Sequence, residues 1–158
     1  MSAKNAFFKK VEDNAKSQQA SDEAFKKDIF EFQRDTENLF QEIKSWFDGS
    51  PVKSEFTTMH LTEDGVVIEM QSMTLLNANK TLKITPEGFC YLGVKGSLQV
   101  FIYNPNRAPS STKFSLHWKD SIRKLDGWTI THGVYDNNPV ERIEFNQENF
   151  FKMIESFA

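Results

Sequence analysis

Three histidines, one cysteine and a scatter of carboxylates are the residues of this chain that could do chemistry. His60, His117 and His132 lie far apart in the sequence. No two have the close spacing that helps build a zinc site, and a single cysteine adds little to them. Cys90 stands between Phe89 and Tyr91 with no neighbouring base to lower its pKa, so it reads as a buried, inert thiol. The Gly-x-Ser-x-Gly elbow, the Walker loop and the dinucleotide Gly-x-Gly-x-x-Gly are absent. Glu141 and Glu144 form a carboxylate pair, but acids are plentiful and no spacing singles these two out. The expectation is therefore no catalytic site, no metal and no cofactor. An enzyme on this chain would have to use His117 or His132 with a neighbouring carboxylate.

Binding residues stand out more than reacting ones. Residues 107–125 carry Arg107, Lys113, Lys119, Arg123 and Lys124 against Asp120 alone. Alternation puts Phe114, Leu116 and Trp118 on one face of a strand, with Lys113, Ser115, His117 and Lys119 on the other. That is a basic, polar stripe beside the loop 104–111. Phe30 is the second signal. It sits about 140° around a helix from Phe25, among charged side chains. Either Phe7 and Phe8 cover it, or it marks a contact surface with Phe8 as its neighbour. The expected partner-binding residues are thus Phe8, Phe30, Arg107, Lys113, His117, Lys119, Arg123 and Lys124.

Composition narrows the partner. Net charge is −3 and the pI is near 5.6, which argues against a nucleic-acid binder. The 21–48 stretch and the 126–158 stretch each carry an excess of four acids, opposite in sign to the basic block. No apolar run approaches the roughly 18 residues of a membrane span. The start lacks the apolar core of a secretory signal, and the lone cysteine suits a reducing interior, so the expected location is cytoplasmic. Fifteen phenylalanines are the oddity, and aromatics serve cores and interfaces alike.

Elements follow from periodicity. Between Ser21 and Asp48, Phe25, Ile29, Phe32, Leu39, Phe40, Ile43, Trp46 and Phe47 share one helical face, with Thr36 inside the arc. Ser21 reads as its N-cap, and Asp48-Gly49-Ser50-Pro51 as its stop. Ala3, Phe7, Val11 and Ala15 mark a thinner preceding helix over 3–16, loosely packed across residues 1–20. After Val52 the period becomes 2. Strands are expected at 56–61, 66–70, 81–85, 89–94, 98–103, 113–118, 128–135 and 140–145. Asp64-Gly65, Pro86-Glu87-Gly88, Lys95-Gly96 and the 136–139 stretch are read as turns between them. Asn146 caps a last helix bearing Phe150, Met153, Ile154 and Phe157.

Short turns favour antiparallel pairing. The expected fold is α+β and a single domain over 1–158. An antiparallel meander of about six to seven strands packs against a long N-terminal amphipathic helix, with a short C-terminal helix. The expected role is a small bacterial, cytosolic, non-catalytic module that binds another protein, as an immunity-type inhibitor or dedicated chaperone does. The alternative is a domain that binds a small apolar ligand in a cavity between helix and sheet. In that case Trp46, Phe101, Phe114, Trp118 and Trp128 would line the cavity.

Overall fold

The stretch expected as two helices is one. In the computed structural model, which describes residues 2–63, 65–91, 94–120, 127–132 and 141–158, helix α1 runs from Ala3 to Trp46. Its middle, from Glu12 to Ala24, holds neither glycine nor proline and is rich in residues that favour a helix. Gln18 Nε2 donates to Asp22 Oδ1 at 3.0 Å one turn on, so the chain does not break there. Ser21 is therefore not an N-cap. That role falls to Ser2, whose Oγ accepts from the Asn5 amide at 3.2 Å.

The chain divides into two compact units, Met1–Glu31 and Phe32–Ala158. In the first, every side chain from Ser2 to Ala24 is exposed. In the second, α1 buries Phe32, Thr36, Leu39, Phe40 and Ile43. Its stop is where the sequence placed it: α1 ends at Trp46, and Gly49 takes the left-handed φ of +81°.

Among the described residues seven strands follow: β1 (Lys53–Glu63), β2 (Val66–Asn77), β3 (Lys80–Tyr91), β4 (Val94–Tyr103), β5 (Ser111–Asp120), β6 (Trp128–His132) and β7 (Glu141–Glu144). They pair in sequence order, each antiparallel to the next, as one meander sheet. The inner face of the sheet meets α1 and the C-terminal helix α2 (Gln147–Met153). Phe32 packs on Phe89 and Trp118 with ring centroids 5.6 and 5.2 Å apart, and Phe114 meets Phe150. Leu82, Ile84, Leu98, Val100, Ile102, Leu116 and Ile130 complete this layer, all at 1% exposure or less. Each such side chain contributes about 1.5–3 kcal/mol by leaving water.

Two expected turns lie inside strands. Pro86-Glu87-Gly88 is a bulge in β3, where the register passes from Pro86↔Leu98 to Gly88↔Ser97 and leaves Glu87 as the extra residue. Ile84 and Pro86 point inward, so strict alternation would turn Phe89 outward. The extra residue returns Phe89 to the core at 1% exposure. Lys95-Gly96 belongs to β4, whose Gly96 lies under Phe32. In β2 both faces are covered: Ile68, Met70 and Ser72 are buried on one and Met73 and Leu75 on the other.

Asn146 caps α2 as expected, its side chain accepting from the Asn149 amide at 2.8 Å. A 3₁₀ turn, Glu155–Phe157, ends the chain, and Phe150, Ile154 and Phe157 are buried. The side chain of Cys90 and the turn expected at 136–139 lie outside the described residues.

Candidate binding surfaces

His117 and His132 do not share a site. Strand alternation puts His117 on the outer face of β5, where its Nδ1 lies 3.2 Å from Thr131 Oγ1. His132 belongs to the opposite face of β6, with Ile130. It is not a core histidine: its side chain is 31% exposed, and Nε2 stands 3.1 Å from Glu141 Oε2, its cross-strand partner. His60 is exposed on β1, opposite Glu69. Among the described residues, no group of three or more His, Cys, Asp or Glu is placed to hold a metal ion.

The residues expected to bind a partner fall in both units, Phe8 and Phe30 in the first and Arg107, Lys113, His117 and Lys119 in the second. On a single helix Phe8 and Phe30 are 22 positions apart, about 33 Å at 1.5 Å per residue, so they are not neighbours. Both are exposed, at 52% and 63%, as are Phe7 and Val11. Phe7 and Phe8 pack edge to face on each other. Arg107 lies in the β4–β5 loop and pairs with Glu155 at 3.3 Å, beside a shallow cleft of about 220 Å³. Lys113 and His117 sit on the outer face as alternation requires. Lys119 does not follow them. Its backbone takes a φ of +52°, and its ammonium lies 4.7 Å from the Trp118 ring centroid. Arg123 and Lys124 lie outside the described residues.

The sheet also brings together residues that periodicity alone did not single out. On the outer face, Phe101 in β4 lies directly between Lys83 of β3 and Lys113 of β5. Two residues on, Tyr103 lies between Thr81 and Ser111. Phe101 is 37% exposed and Tyr103 43%, and both lysines are exposed. Position decides this: Val100 and Ile102 take the inner face of β4, which leaves its two large rings outside. Further along that face Ser97 and Ser115 both donate to Glu87 Oε2, at 2.7 and 3.4 Å.

The large aromatics expected to line a cavity between helix and sheet are dispersed. Phe114 and Trp118 are packed in the core, and Phe101 faces the other way. An apolar cleft of about 410 Å³ opens instead where α1 ends. Trp46, Phe47, Val52, Phe151, Ile154 and Phe157 are among the side chains that line it. Behind them Trp46 stacks on Phe145 at 5.8 Å, and Phe47 meets Phe151 at 5.3 Å. Among the described residues, no helix is long and apolar enough to cross a membrane.

Comparison with protein-family models, with curated proteins and with solved structures gave no match.

Proposed function

We propose that this chain is a small cytosolic, non-catalytic module that binds another protein in a bacterial cell, as an immunity-type inhibitor or a dedicated chaperone does. One observation carries the reading: Phe7, Phe8, Val11 and Phe30 are exposed on α1, where no described side chain before Phe25 is covered. A helical stretch of this length gains little stability from propensity alone, and its apolar side chains bury area only against something else. Exposed aromatics are also the side chains that anchor interfaces. The test is affinity capture from the native host with the wild-type chain and with Phe8→Ser/Phe30→Ser. The expected result is a stoichiometric protein partner that the double variant loses. Capture of no stoichiometric partner by the wild type overturns the reading.

The cleft at the end of α1 supports a second reading, a small apolar ligand. Its volume of about 410 Å³ falls within the range of ligand sites, and its wall is mostly aromatic and aliphatic, with Ser50, Asn77 and Glu155 as its polar members. A ligand held at one hundred times its Kd stabilises the fold by about 2.7 kcal/mol. Thermal shift against a panel of aromatic and aliphatic compounds, with Val52→Trp to fill the cleft, checks it. Equal shifts in wild type and variant, or none in either, reject it.

A further inference from the structure

We infer that β1 pairs edge to edge with β1 of a second copy of this chain, about a two-fold axis at Thr58. β1 stands first in the sheet, so among the described residues only β2 pairs with it. It runs eleven residues, Lys53–Glu63, where strands commonly run about five or six. Its register with β2 is unbroken, and it holds neither proline nor glycine. None of its residues is buried. Helix α1 meets the strand on its face: Phe40 packs on Phe56 at 6.3 Å, and Lys44 Nζ lies 5.7 Å from the same ring centroid. Alternate residues of β1 aim N–H and C=O away from β2. Those groups fit one kind of occupant, another extended backbone. The opposite edge of the sheet, β7, is only four residues long.

The pattern of the strand itself selects a second copy. In a two-fold pair, residue i meets j and j meets i. Both copies aim the same residues outward, so residues that face each other must share parity along the strand. The axis therefore passes through a residue, never between two. Through Thr58 it pairs all eleven residues and sets Lys53 against Glu63 of the second copy at both ends. Thr57 then faces Met59, Phe56 faces His60, and Thr58 faces its own counterpart. Through Met59 the axis pairs nine residues and opposes Glu55 to Glu63 twice, like charge on like. Through Thr57 it pairs nine and leaves Lys53 against Leu61. Opposite charges directly across a strand pair stabilise it and like charges weaken it, which favours Thr58. Glu63 Oε1 already accepts from the Phe89 amide at 3.1 Å, and an ionised carboxylate has further lone pairs for Lys53. Within one chain Lys53 and Glu63 stand at opposite ends of the strand, about 30 Å apart, so they meet only between copies.

The test is sedimentation velocity of the full chain over a range of concentrations. The expected result is a concentration-dependent species of twice the 18.3 kDa chain mass. Lys53→Glu alone and Glu63→Lys alone should each raise the dimer Kd about tenfold or more, since two attractive pairs become repulsive. An equimolar mixture of these two variants should regain the wild-type Kd, because each junction then pairs opposite charges. Phe8→Ser should change nothing, which separates this edge from the α1 surface proposed above. Circular dichroism melts show whether each variant folds, and cysteine pairing decides the matter where Glu63→Lys does not. In a Cys90→Ala background, Thr58→Cys should form a disulfide between copies on oxidation, because facing Cβ atoms lie about 5 Å apart. Glu55→Cys should not, since its two copies stand about 20 Å apart. A monomer at every concentration overturns the inference, as does a dimer that Phe8→Ser abolishes. So does a mixture of folded variants without rescue, or equal cross-linking at positions 55 and 58. A monomeric chain whose capture of the host partner is lost with Lys53→Glu gives the edge to that partner instead.

Discussion

The ring of Phe32 lies directly on Gly96. A Cβ built on that glycine would stand 2.7 Å from both Cδ1 and Cζ of the ring, and nearer still to Cε1. Phe32 is fully buried between Phe89 and Trp118 and has nowhere to retreat. Gly96→Ala is therefore expected to destabilise the fold by about 1–3 kcal/mol, although alanine suits a strand at least as well as glycine does. Urea denaturation with an unchanged m-value measures it. Phe32→Leu in the Gly96→Ala background should cost less than Phe32→Leu in the wild type, because the smaller side chain makes room for the methyl.

That pair also shows why part of the fold was legible in the sequence and part was not. The stripe of α1 from Phe32 to Ile43, the glycine stop at Gly49 and the Asn146 cap are local patterns, and all appear where periodicity put them. Gly96 reads locally as a turn. Only a ring 64 positions away, seated on the strand, explains a glycine there. Pro86-Glu87-Gly88 misled for a related reason: a bulge and a turn use the same residues, and the parity of Phe89 against Ile84 was the signal that separates them. Phe101 and Tyr103 were visible as aromatics. Their exposure depended on which face of β4 the core claimed, a tertiary decision.

Trp118 Nε1 donates to Asp35 Oδ2 at 2.9 Å, tying α1 to β5, and the Trp118 side chain is otherwise fully buried. Asp35→Ala leaves that N–H without a partner and should cost about 1–3 kcal/mol. Asp35→Asn keeps an acceptor and should cost less. Equal losses for the two would show that the hydrogen bond contributes nothing and that only packing at position 35 matters.

Thr36 is buried at 1% exposure among the apolar side chains of α1, and its Oγ1 has no hydrogen-bond partner among the described residues. A hydroxyl buried without a partner costs about 1–3 kcal/mol. Valine has nearly the same shape and no hydroxyl. Thr36→Val should raise stability by about 1 kcal/mol, seen as a higher urea midpoint, and a lower midpoint would mean that the hydroxyl is satisfied.

Phe150 and Phe151 are adjacent in α2 and should behave oppositely. Phe150 is fully buried, its ring within 6.4 Å of Trp46, Phe114, Phe145 and Phe151 by centroid. It therefore joins the end of α1, the sheet and the C-terminal helix in one cluster. Phe150→Ala removes the centre of that cluster and should cost about 3–5 kcal/mol. Phe151 is 36% exposed and lines the apolar cleft. Its truncation removes less buried area and opens no closed cavity, so Phe151→Ala should cost well under half as much. Parallel urea titrations of the two variants decide the matter. Similar losses would mean that Phe151 belongs to the core and that the cleft is closed in solution, which would remove the support for a small apolar ligand there.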